Sequence, residues 1–92
     1  MKVHNLNGTA DNTAHAPYYS WIKYWRYYYR GDYPIFCPRC GNLLIDPVGA
    51  HVQKDSVYRD SRWYIVPICR GCNNANTSFE VKSSLLVSAT LP

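Results

Sequence analysis

The sequence predicts a small α+β domain folded around one metal ion, and three features point to it. Two C-x-x-C pairs, "CPRC" at 37–40 and "CRGC" at 69–72, stand 28 residues apart. The run "YYSWIKYWRYYYR" carries the period of an amphipathic helix. The stretch "WYIVPI" at 63–68 is aromatic and β-branched, as a buried strand requires.

A chain of 92 residues forms one domain, and its hydrophobic core alone is marginal. Disulfides, a metal or oligomerisation must add stability. An apolar content of 47% excludes a disordered tail, and no run approaches the ~20 apolar residues of a membrane span. The opening "MKVHNLNGTADNTAH" has no apolar core of a secretory signal, so a cytoplasmic protein is expected. In that compartment paired cysteines bind metal rather than form disulfides.

Residues 1–17 read as an extended polar arm, and 18–92 as a single metal-binding domain. Within it, a helix is expected over 18–30, with Tyr18, Trp21, Ile22, Trp25 and Tyr29 on its packed face. Lys23, Arg26, Tyr27 and Arg30 fall on the other side, and Gly31 suits a helix stop. So many tyrosines exceed what one face buries, so at least Tyr24, Tyr27 or Tyr28 should remain exposed. "FCPRCG" then makes a tight turn, and "NLLIDPVGAHV" offers two short strands around a Pro-Val-Gly corner. "WYIVPI" is the next strand, "CRGCNN" turns out of it into a short helix, and "FEV" and "LLVSAT" suggest small edge strands within 79–92.

Cys37, Cys40, Cys69 and Cys72 can place four soft thiolates around one tetrahedral Zn²⁺, a structural ion coupled to folding. A redox dithiol would use one pair at a helix start within a βαβ pattern, which this sequence lacks. His4 and His15 lie in the polar arm, away from such a site. His51, in "GAHV" between the two pairs, has three candidate roles: metal ligand, catalytic base or structural residue. Four thiolates already close the site, so ligation is the weakest of them.

The order of a C-x-x-C turn, a strand with His51, a second strand and a second C-x-x-C leading into a helix resembles a treble-clef zinc finger over 36–78. "GAHV" and "YIVPICRGCNN" resemble segments of the HNH endonuclease superfamily, whose ββα-metal module often carries an embedded zinc. "NGTADNT", "WIKYW" and "VGAHVQK…WYIVPICRGCNN" are also similar to a group of small bacterial-type treble-clef proteins with a "GAHV…WYIVPLC" core. The HNH resemblance implies His51 as general base on a water and Asn73 at the last metal-ligand position, with Asn74 and Asn76 nearby. The acidic or histidine ligand expected before His51 is Ala50, and the orienting asparagine falls at Tyr64. Asp46 or Asp55 would have to substitute from neighbouring loops. An HNH-like scaffold without nuclease chemistry is the expectation. His51 would then donate to a backbone carbonyl or a zinc-bound sulfur.

What remains is a binding module, for nucleic acid or for a protein partner. The formal charge is +4, and four thiolates with one Zn²⁺ reduce it to about +2. Lys23, Arg26, Tyr27 and Arg30 could track a phosphate backbone. Arg39, Arg62 and Arg70 flank the metal site, and Asn73, Asn74 and Asn76 could reach phosphates or merely cap a helix. Exposed tyrosines would serve a protein partner equally well. The sequence leaves the oligomeric state open.

Overall fold

The computed structural model describes residues 1–6, 20–55, 62–75 and 77–89. The expected α+β class is present: one helix and one antiparallel sheet of five strands. In chain order these are β1 (Lys2–Asn5), α1 (Trp21–Tyr28), β2 (Val48–Lys54), β3 (Tyr64–Ile68), β4 (Phe79–Glu80) and β5 (Val87–Ser88). The strands lie side by side as β4-β1-β2-β3-β5. Single 3-10 turns cover Cys72–Asn74 and Ser83–Leu85.

The start of the expected polar arm belongs to this sheet. Lys2–Asn5 pair with β2 on one side and β4 on the other, and Val3 is fully buried. Alternation over "KVHN" is too short to distinguish a strand from an arm by sequence. The rest of the arm, and Tyr18 of the helix, lie outside the described residues. "FEV" and "LLVSAT" supply the two edge strands as expected.

Pairing of opposite residues fixes the two faces of the sheet. Gly49 and His51 on β2 share a face with Pro67 and Ile65 on β3. Val52, Asn5, Val3 and Tyr64 share the other. Helix α1 packs on the first face. Pro67 is accommodated within β3 because β5 pairs only with Tyr64 and Ile65, leaving an open edge beside the proline.

Helix α1 begins at Ser20, whose Oγ accepts from the backbone N–H of Lys23. It ends at Tyr28, two residues before the expected limit. Tyr29 turns extended (ψ 133°), stacks its ring on Trp25 at 4.3 Å and donates its hydroxyl to the Asp32 carbonyl. The extended backbone of Tyr29 ends the helix, and Gly31 leaves room for its ring, since a β-carbon there would stand 2.5 Å from the Tyr29 hydroxyl oxygen. The buried stripe is also rotated: Tyr24 and Trp25 are the fully buried residues, while Trp21 and Ile22 are partly buried. Tyr24 can go inside because its hydroxyl donates to the Ser88 carbonyl at 2.7 Å. The Trp25 indole N–H likewise donates to the Leu85 carbonyl at 2.7 Å. Buried aromatic polar atoms thus meet backbone acceptors instead of costing free energy. Tyr27 is left exposed, as expected.

The seat of the helix is Gly49. A β-carbon there would stand 2.5 Å from the Trp21 carbonyl carbon and 2.6 Å from the Ile22 nitrogen. Both are backbone atoms, so only movement of α1 would relieve the clash. Gly49→Ala should therefore destabilise the domain by about 2 kcal/mol, lowering the melting temperature by about 8–16 °C. Thermal unfolding followed by tryptophan fluorescence reads this directly, and an unchanged midpoint would contradict the seating of α1 on Gly49.

Candidate metal centre

Each cysteine pair sits on its own rigid turn. In the first, Phe36 and Leu43 face each other across a short antiparallel bridge. The Cys37 N–H donates to the Asn42 carbonyl at 2.7 Å, and the Gly41 N–H to the Cys37 carbonyl at 2.9 Å. Gly41 closes that turn at φ +78°, a conformation that side chains resist. The second pair leaves the end of β3. Its turn is held by the Cys72 N–H on the Cys69 carbonyl and the Ala75 N–H on the Cys72 carbonyl. The short helix expected there is a single 3-10 turn, Cys72–Asn74.

The two turns bring all four sulfurs within 4.8 Å of one another. Cys37 and Cys72 Sγ are 3.8 Å apart, and Cys40 and Cys69 Sγ 3.7 Å apart. Four thiolates at about 2.3 Å from a central ion would be about 3.8 Å apart along each edge of the tetrahedron. These four cysteines could therefore hold one metal ion. Among the described residues they are also the one group of three or more His, Cys, Asp and Glu side chains so placed.

The surroundings prepare the sulfurs unequally. Burial pushes the Cys37 thiol up, but backbone N–H groups of Cys40, Cys69 and Arg39 outweigh it and bring it down to about 7. Burial pushes Cys72 up to about 12, with the neighbouring thiols adding to it and Arg39 opposing it. Cys37 thus readily offers a thiolate, whereas Cys72 keeps its proton until a cation displaces it. Arg39 Nη1 donates to Cys72 Sγ at 3.5 Å, and Nη2 to Thr77 Oγ1 at 2.7 Å. Arg39 was expected to flank the metal site, and it does so with its guanidinium on the Cys72 sulfur.

Asn5 is the residue that sequence did not reveal. Buried at the end of β1, its Nδ2 donates to the carbonyls of Cys72 and Ala75 at 3.1 and 3.0 Å. This ties the second cysteine turn to the sheet face opposite α1. A lone Asn in a four-residue strand carries no sequence signal of such a role.

His51 lies on the other face, buried between the rings of Trp21 and Trp63 at centroid distances of 4.5 and 5.5 Å. Its register partner Ile65 is four residues before Cys69, roughly 13 Å along the strand. The expected hydrogen bond to a metal-bound sulfur is therefore out of reach. Nor does Nε2 meet a carbonyl, since it has no hydrogen-bond partner. Burial pushes the imidazole pKa down, disfavouring its charged form.

The remaining positions separate. Ala50 is buried, and Tyr64 lies under the cationic ends of Lys54 and Arg62, at 4.7 and 5.8 Å from its ring centre. Asp46 is paired with Arg70 at 3.1 Å, and Asp55 is bonded to Ser78 and His4, which hold its carboxyl below the usual range. Asn73 and Asn74 are exposed beside Cys72, away from the His51 face; Asn76 lies outside the described residues. Lys23, Arg26, Tyr27 and Arg30 are all exposed on the outer side of α1 and just beyond it. No helix among the described residues is long and apolar enough to cross a membrane.

Two outcomes follow. The purified chain should carry one metal ion per molecule by elemental analysis. Cys72→Ser or a strong chelator should remove it and lower the melting temperature by more than 10 °C, a shift of about 2 kcal/mol or more. For His51, the sign runs toward acid instability. The unfolded chain takes a proton near the ordinary value of 6.5, whereas the folded chain resists it. Stability should fall as the pH drops through that value, and His51→Phe should remove this part of the slope in urea titrations. Parallel pH profiles for the two proteins would contradict the buried neutral imidazole. The chain matches no family model, no curated protein and no solved structure, so its function must be read from this geometry.

Proposed function

We propose that this chain is a zinc-stabilised, non-catalytic module of treble-clef type that binds nucleic acid on the outer side of α1. Zinc is the reading for the metal because four thiolates in a tetrahedral set suit a soft-tolerant ion without redox chemistry. A treble-clef arrangement accounts for a first cysteine turn, a β2–β3 hairpin and a second turn leaving β3. Its final helix is here reduced to one 3-10 turn.

The observation that carries the binding reading is the composition of one helix side. Lys23, Arg26 and the exposed ring of Tyr27 line that side at the i, i+3, i+4 spacing, and Arg30 follows just past the helix end. Among the described residues none of these three cations is held in an ion pair. Arg30 donates to the Tyr27 carbonyl at 2.8 Å, within the same side of the molecule, whereas the other candidates engage other elements: Arg39 on Cys72, Arg70 on Asp46, and Arg62 over Tyr64. Cations spaced along a helix match successive phosphates, and an exposed tyrosine ring supplies a stacking platform. The absence of catalysis rests on His51. A general base must reach a water, and this imidazole is buried between two indoles with its pKa pushed down.

Fluorescence anisotropy with a labelled single-stranded oligonucleotide tests the reading. Three phosphate contacts predict a slope of about −2 in log K against log salt, a loss of about 16-fold in affinity over a fourfold rise in salt. Arg26→Gln with Arg30→Gln should weaken binding and flatten that slope. Added Mg²⁺ should produce no cleavage of plasmid or oligonucleotide. Absent binding at low salt, or binding indifferent to those substitutions, would reject the assignment.

A further inference from the structure

The first cysteine turn carries more exposed apolar surface than its metal role explains. Tyr33, Ile35, Phe36, Leu43 and Ile45 are 55%, 67%, 58%, 59% and 85% exposed. For side chains of roughly 150–200 Å² this amounts to on the order of 600 Å². Summed over both faces of the hairpin, this exposure approaches the ~800 Å² per partner of a stable interface. Between Tyr33 and Ile45 the only charged side chain is Arg39, which is occupied with Cys72 and Thr77.

Shape and backbone point the same way. Phe36 and Leu43 form a cross-strand pair, and the bonds flanking them join Ile35 to Leu44 and Cys37 to Asn42. The N–H and C=O groups of Phe36 and Leu43 therefore point outward from the hairpin. An outward strand edge under apolar side chains is a template for pairing with another strand. Beside this ridge lies a cleft of about 610 Å³, walled by Tyr29, Val81 and Leu85 and by Ile35 and Phe36 themselves, with Asp32, Glu80 and Lys82 also lining it. Ridge and cleft are thus parts of one patch. That is what a two-fold interface demands, because each copy must present the same surface as knob and as socket.

We infer that the Tyr33–Ile45 hairpin is a two-fold interface with a second copy of this chain. A polyanion gains little from an uncharged apolar ridge, so the surface is distinct in chemistry from the basic side of α1. It stands or falls independently of nucleic-acid binding. A dimer would present two basic helices at once, which multiplies affinity for a long strand without any new contact.

Sedimentation velocity on the metal-loaded full chain, over a dilution series from about 1 to 200 µM, tests the proposal. The expected result is a monomer–dimer equilibrium with a Kd of about 10 µM or below. Leu43→Glu and Ile45→Glu should each weaken it at least about tenfold, because each would bury a charge at the contact. Both side chains are exposed in the single chain, so metal content and melting temperature should be retained, and these are measured alongside. A wild-type chain monomeric throughout, or a dimer indifferent to both substitutions, would overturn the interface. So would a monomeric chain that instead co-sediments with anionic phospholipid vesicles, which would assign the hairpin to a lipid surface.

Discussion

Four sulfurs within 4.8 Å of one another set the condition on which the rest of the molecule depends. Deprotonated and without a cation, they would repel; protonated, they would be four small side chains on two turns. A cation changes the balance, since its binding free energy is available only when both turns are in place. The local geometry anticipates this with N–H groups directed at Cys37 and with the Arg39 guanidinium beside Cys72. With Cys37 at about 7 and Cys72 pushed up to about 12, loading would displace a proton from the buried Cys72, while Cys37 ionises more readily.

The sheet transmits this constraint to both of its faces. On one face Asn5 holds the second cysteine turn through the carbonyls of Cys72 and Ala75. Its Oδ1 is left buried without a partner, as is Arg39 Nε, so the connection is not fully satisfied. On the other face Gly49 allows the backbone of α1 to approach so closely that aromatic side chains fill the core without a long helix. Eight residues suffice because Tyr24 and Trp25 also bond to carbonyls of the segment leading into and forming β5.

Legibility of this arrangement in the sequence follows the range of the interaction. The cysteine set was readable, because C-x-x-C spacing is a local consequence of metal geometry. So was the exposed side of α1, since Lys23, Arg26 and Tyr27 follow the helical period, although Arg30 falls past the helix end. Strand β3 and the two edge strands were legible from β-branched and aromatic content. The helix limit was not, because Tyr29 takes extended backbone while its ring stays on Trp25, a local choice that residue spacing alone does not reveal. Nor was the burial of Tyr24, which depends on a carbonyl 64 residues away. The bond from Arg39 to Cys72 and the role of Asn5 were not foreseen for the same reason: their partners are distant in the chain. The hydrogen bond expected of His51 failed because alternation along β2 places it on the face away from the cysteines.

The two surfaces of this module differ in what sustains them. The cations of α1 ride on a helix held by Gly49, Tyr24 and Trp25, within the apolar core. The apolar hairpin is held at Cys37 and Cys40 by the sulfur cluster, while Tyr33 rests on the Trp25 ring and Leu44 on the core. Loss of a bound metal would therefore loosen the cysteine end of the hairpin first and leave the docking of α1 less affected. Because an apolar interface needs a fixed shape, whereas phosphate contacts tolerate side-chain motion, metal occupancy would govern association of copies more strongly than capture of nucleic acid. On the proposed reading, a bound ion would therefore act on the hairpin surface as well as on the stability of the core.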